Sequence, residues 1–207
     1  MVFDLHVHTS RFSPCASQDP GEMIAAARAV GLDGVVITDH ERLWPAEDIR
    51  ALSAASGLLV VGGIEIYTTD GDLLVIGLDH EMGGLPHPDQ VRRAADAAGA
   101  VVIAAHPWRG FLSLGPEELK DSIAQAAARP LLRQAHAIEV CNGRSLDQEN
   151  EIARQLAAVL GKPAVGGSDA HTPAEVGRCA TRFMDQIEDQ AGLIHALKHG
   201  RFAVEKK

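Results

Sequence analysis

The chain has 207 residues, 46% of them hydrophobic, and a formal net charge of -9. This is apolar material for one full core, and the acidic balance excludes a surface built to grip long duplex nucleic acid through its phosphates. No stretch approaches membrane-spanning length, and the amino terminus lacks the cationic flank and apolar run of a signal peptide, so a cytoplasmic protein is expected. The three cysteines, Cys15, Cys141 and Cys179, lack CxxC spacing, which suggests neither a disulfide framework nor a thiolate zinc knuckle.

Short β-branched runs alternate with Ala-rich segments of helical period, the pattern of βα units around a largely parallel sheet. A strand is predicted at Val2–Val7, then a helix near Pro20–Val30, a strand at Gly34–Thr38, a helix at Ala46–Ser56 and a strand at Leu59–Ile66. The stretch TTDGDLL carries an Asp-Gly turn signal, so the next strand, Leu73–Gly77, is expected to return antiparallel. If Thr69 pairs with Asp72, Glu65 lies opposite Ile76 and a turn at Gly77 brings His80 back toward Glu65. The pattern continues with a helix at Pro88–Ala98, a strand at Val101–Ala105, a helix at Pro116–Ala128 and a strand at Ala137–Cys141. A helix at Leu146–Leu160, a strand at Pro163–Gly167 and a helix at Ala191–His199 complete it. Pro20, Pro88 and Pro116 open three of the helices, and Gly31, Gly99 and Gly161 follow three ends, as helix punctuation requires. A single domain over residues 1–207 accommodates every element.

Nearly every predicted strand ends in metal-competent chemistry: His6 and His8, Asp39 and His40, Glu65, His106, Glu139, Asp169 and His171, with His80 three residues beyond the fourth strand. In a βα barrel the carboxyl ends of the strands gather round one mouth, so these scattered positions converge there. Alternate strand residues share a face, which lets the imidazoles of His6 and His8 reach one divalent ion while Val7 packs oppositely. Asp169-Ala170-His171 repeats the device, and the Glu65 carboxylate is able to bridge two ions. Mixed imidazole and carboxylate donors suit zinc, manganese or iron better than calcium or copper(I). Glu139 suits an outer hydrogen bond as well as a metal bond. His87, His136, His195 and His199 fall away from the strand ends and read as surface or hydrogen-bonded residues.

The ordered set DLHVHTS, GLDGVVITDH, GGIEI, AAHPWRG, AIEVCNG and GSDAH resembles the PHP family, named for polymerase and histidinol phosphatase, along nearly all of the chain. The resemblance implies an α/β fold, a distorted (β/α)7 barrel, with two or three divalent ions and phosphoester hydrolysis. It assigns His6, His8 and Asp169 to one ion, Glu65 as the bridge, His80 and His106 to a second ion, and His40 with His171 to a third. Cys15 stands where many members carry aspartate or histidine, so it is expected as a thiolate ligand or near neighbour of the third ion.

Such a site would attack a phosphoester with a metal-bound water and needs no protein nucleophile. Arg109 and Arg178, on loops expected to rim the mouth, are candidate phosphate clamps, and Asn142 a candidate for a substrate or loop hydrogen bond. The expected substrate is a small phosphorylated metabolite, nucleotide or short oligonucleotide. Histidinol phosphatase activity and a non-catalytic metal-binding regulatory module are the alternatives.

Overall fold

A computed structural model describes residues 1–109 and 123–206. Its strands are β1 (Val2–Val7), β2 (Gly34–Ile37), β3 (Leu59–Thr68), β4 (Gly71–Ile76), β5 (Val101–Ala104), β6 (Ala137–Asn142), β7 (Ala164–Gly167), β8 (Cys179–Phe183) and β9 (Phe202–Lys206). The helices are α1 (Pro20–Ala29), α2 (Ala46–Ser56), α3 (Pro88–Ala98), α4 (Pro130–Gln134), α5 (Asp147–Leu160) and α6 (Gln190–His199). Of the predicted helix Pro116–Ala128, residues 123–127 are helical and the earlier part lies outside the described residues. Helix starts follow local chemistry: the Asp19 carboxylate accepts from the Glu22 amide, Glu22 answers at the Asp19 amide, and Pro20 opens α1.

One sheet runs in the order β7-β6-β5-β4-β3-β2-β1-β8-β9. The pairs β1–β2, β2–β3, β5–β6 and β6–β7 are parallel. The β3–β4 hairpin is antiparallel as expected, and β4–β5 is antiparallel too. Strands β8 and β9, which the sequence analysis did not predict, extend the sheet antiparallel from β1 and replace a strict sevenfold βα count. The sheet curls until β7 meets β1: the His8 amide donates to Ala170 O (2.9 Å) and the Ala170 amide to His6 O (3.3 Å). Glycine is required at this seam, because a Cβ on Gly167 would lie 2.6 Å from the His6 Cβ and 2.8 Å from Glu139 Oε1.

Inside the curl, Phe3, Leu5, Leu74, Ile76, Val101 and Ile103 pack together, and α6 closes one end with Leu193, Ala196 and Leu197. Outside, Val35, Ile37 and Val60 meet Met23, Ala27 and Ile49 of α1 and α2. Strict alternation from Phe3 and Leu5 would turn Val7 inward, yet Val7 belongs to the outer cluster. A register irregularity between Asp4 and Val7 reverses the parity of β1, so that His6 and His8, which regular alternation would turn outward, face into the mouth of the curl.

Cys141 and Cys179 form a disulfide, with Cα atoms 5.8 Å apart, which corrects the expectation of no disulfide. The pairing was hidden because sheet closure, not sequence spacing, brings the end of β6 to the start of β8.

His136, just before β6, carries a pH dependence of stability. Its Nδ1 accepts from the Val102 amide at 3.0 Å. Burial, with Arg92 and Lys198 nearby, pushes its pKa down from 6.5 to about 4. The unfolded chain therefore takes up this proton first, so the stability present above pH 6.5 is lost as pH falls toward 4. The full shift corresponds to about 3 kcal/mol, and solvent around the partly exposed ring reduces the expected effect to roughly 1–2 kcal/mol. Urea unfolding at pH 7 and pH 5 should show this loss in the wild type, and His136→Asn, which keeps an acceptor for Val102, should lose that much less.

Candidate metal centre

The β3–β4 hairpin turns tighter than expected. Thr68 pairs with Gly71, Tyr67 with Asp72 and Glu65 with Leu74, a shift of two residues from the predicted register. Gly71 adopts φ +114, and the Asp70 carboxylate is pinned by Arg129 Nε (3.0 Å) and the Leu131 amide (2.8 Å), which together fix the short turn. Two corrections follow. His80 does not return to Glu65; it is 64% exposed, hydrogen-bonded to Asp79 (2.6 Å), on a flank groove beside Leu43, Trp44 and Glu81. Asp72 faces the mouth instead, its Oδ2 4.0 Å from His106 Nε2. The sequence reading missed Asp72 because its place on the Glu65 face depends on the turn, which pairs it with Tyr67.

His6, His8, His40, Glu65, His106, Asp169 and His171 do converge. Three groups each have donor atoms within 4.8 Å of one another: His6, His8 and Asp169; His6, Glu65 and His106; and His8, His40 and His171. Glu65 spans two of them. Its Oε1 lies 3.1 Å from His106 Nε2 and 3.5 Å from His6 Nε2, while Oε2 lies 3.2 Å from His8 Nε2 and 2.9 Å from His40 Nδ1. Asp169 Oδ1 lies 3.3 Å from His8 Nε2 and 3.6 Å from His6 Nε2.

Hydrogen bonds behind the rings select their tautomers. His6 Nδ1 meets Glu139 Oε1 at 3.0 Å, and His171 Nδ1 meets the Asp169 carbonyl at 2.8 Å. Ser13 Oγ donates to Asp39 Oδ1 (2.7 Å), so toward His8 Nδ1, at 3.3 Å, it acts as acceptor. Each of these Nδ1 atoms is therefore a donor, and with a neutral ring its Nε2 keeps a lone pair. The consequence is acute at His6 and His8, whose Nε2 atoms face each other at 3.0 Å. His40 Nδ1 and Glu65 Oε2 are buried without a hydrogen-bond partner among the described residues, although 2.9 Å apart. Facing lone pairs and orphaned acceptors call for cations between them, and the donor set fits divalent zinc, manganese or iron.

The electrostatics agree. Burial opposes charge on His6, but Asp169, Glu139 and Glu65 outweigh it and hold its pKa well above the usual value. Burial likewise opposes ionisation of Glu65 and Asp169, yet His6 and the neighbouring imidazoles keep both well below the usual carboxylate range, with Arg109 contributing at Asp169. Burial and the adjacent His8 lower His171. The centre attracts positive charge, for which protons and metal ions compete.

Of the two roles open to Glu139, its contacts match the outer hydrogen bond: besides His6 it accepts from the His106 amide (2.8 Å) and Asn142 Nδ2 (2.9 Å). Asp39, saturated by the Thr9 amide and hydroxyl, Ser13 and Trp44, braces the loops carrying His8 and His40. Glu139→Gln should therefore lower metal affinity by about 10–100-fold with the fold retained, as read by competition with a chelating dye.

The cluster opens into a bowl of about 410 Å³ lined by Cys15, Tyr67, Asp72, Arg109 and Arg144 as well as His40, His106, His171, Glu65 and Asp169. Cys15 is a free thiol on this wall, outside the three close groups, and burial raises its pKa. Arg109 Nη2 binds Asp169 Oδ2 (2.5 Å) and Asn142 Oδ1 (2.6 Å). The buried Asn142 amide also takes the Arg144 and Ser145 amides, so it orders the loop. Arg178 does not line the bowl; its guanidinium lies 3.8 Å from Glu175 and half exposed. Arg144, which the sequence reading passed over, is exposed on the bowl with its guanidinium in no ion pair among the described residues. Its signal was its place, directly after the strand carrying Glu139 and Asn142.

Comparison with known proteins agrees with this architecture. Residues 147–202 match the PHP-associated region. The uncharacterized protein MJ1587 of Methanocaldococcus jannaschii is 27% identical over 117 residues, 52% of this chain and 68% of that protein. An error-prone DNA polymerase of Corynebacterium efficiens is 28% identical over 125 residues, 51% of this chain but 12% of the polymerase. Among solved structures, a two-domain Bacteroides vulgatus protein, described as containing a predicted PHP-like metal-dependent phosphoesterase, superposes with a TM-score of 0.72 at 22% identity, covering 100% of this chain and 64% of that one. With the PHP domain itself matched over residues 4–141, the chain belongs to the PHP domain family.

Proposed function

We propose that the chain is a metal-dependent phosphoesterase acting on a small phosphorylated metabolite, nucleotide or short oligonucleotide. The observation that carries this reading is the ring of Nε2 lone pairs on His6, His8 and His171, set by hydrogen bonds behind them and gathered with Glu65 and Asp169 under an arginine-bearing bowl. His6, His8 and Asp169 would hold one ion, His106 with Asp72 a second, and His40 with His171 a third beside Cys15, Glu65 serving as the bridge. Bound there, divalent zinc, manganese or iron supplies Lewis acidity for the phosphoryl oxygens and lowers the pKa of a water nucleophile.

The chain's own groups do the rest. Glu139, Ser13 and the Asp169 carbonyl keep the imidazole donors aimed, which makes the charge of the site preorganised. Arg144 grips the substrate's phosphate from the open wall, and Arg109, held by Asn142, holds the Asp169 carboxylate while presenting charge to the same space. The test is phosphate release from a panel of monoesters and diesters, with each metal supplied in turn to chelator-treated protein. Metal-restored turnover of phosphoesters, absent with amide and lactone substrates, is expected; binding of metal without turnover of any ester would favour the regulatory module.

A further inference from the structure

The clearest unassigned chemistry lies at the other end of the barrel. Helix α6 closes that end with Leu193, Ala196 and Leu197 inward, and turns His195 and His199 to solvent. These two residues are four apart on a ten-residue helix, where side chains lie one above the other on a single face. Their ring centroids are 5.1 Å apart with an interplanar angle of 55°. The buried pair His6 and His8, whose donor nitrogens face each other, shows almost the same arrangement, 5.0 Å and 57°. Neither exposed ring has a hydrogen bond or ion pair with a described residue, so both remain available as ligands.

We infer that His195 and His199 form a second, peripheral metal site that chelates one borderline divalent ion of the first transition row, copper(II) and nickel(II) ahead of zinc(II). Two imidazoles one helical turn apart hold such an ion as a bidentate pair and leave its other positions to water. The site also occupies the last turn of α6, where the carbonyl ends of the helix favour a cation. This inference is independent of the phosphoesterase reading, since the pair lies on the helix opposite the mouth.

The test is retention of untagged, folded protein on immobilised nickel, which the buried histidines of the mouth cannot reach. Wild type should be retained, and His195→Asn, His199→Asn and the double variant should all elute together at several-fold lower imidazole, because a chelate is lost whole. Copper(II) titration of protein with its mouth already loaded with zinc should show one further equivalent that each single variant lacks, with far-ultraviolet circular dichroism unchanged. Single variants that each lose only half of the double variant's effect, or retention equal to wild type, would overturn the chelate.

Discussion

Replacing Asp169 with asparagine is expected to lower phosphoester turnover by about 10³-fold or more while leaving the protein folded. Asparagine keeps the size of the side chain and tolerates the left-handed backbone at this position, where φ is +53. What it removes is the negative charge that Oδ1 presents to His6 and His8 and that Oδ2 presents to Arg109. Loss of one charged group from the proposed metal site would forfeit several kcal/mol of stabilisation for a developing phosphoryl charge, and each 1.36 kcal/mol is about tenfold in rate. Turnover with saturating metal, read beside metal content and thermal unfolding, checks this. An asparagine variant with near wild-type turnover would remove Asp169 from the site.

The second large effect separates Asp72 from His80. Asp72→Ala should lose one ion and about 10²-fold or more in turnover, because Asp72 faces His106 and shares the Glu65 face of the hairpin. His80→Ala should change neither, since that ring stands in solvent beside Asp79. Metal stoichiometry of the two variants decides the matter: an ion lost with His80 and kept without Asp72 would mean that the loop after β4 closes over the mouth in solution.

These two residues also show how far the sequence could be read. His6, His8, His40, His106, Asp169 and His171 were legible because each follows a predicted strand, and strand ends gather wherever a βα sheet curls. Glu65 was legible for the same reason. Asp72 was not, because its place depends on a turn set by Gly71, Asp70 and Arg129, a residue 59 positions from Asp70. The disulfide between Cys141 and Cys179 was hidden likewise by closure of the sheet. The bulge in β1 escaped the alternation rule altogether: HVH reads the same in regular and bulged strands, and only the inward packing of Phe3 and Leu5 reveals the change of parity. Local patterns therefore located the chemistry, whereas its exact partners depended on contacts between distant elements.

A bowl built to hold several ions at once, as proposed here, is tested by counting the metal it binds. Elemental analysis of metal-replete protein, with the peripheral pair removed by His195→Asn and His199→Asn, should find two to three divalent ions per chain, and chelation should lower both metal content and thermal stability together. Fewer than one ion per chain, with stability unchanged by chelation, would mean that the bowl is not a metal centre.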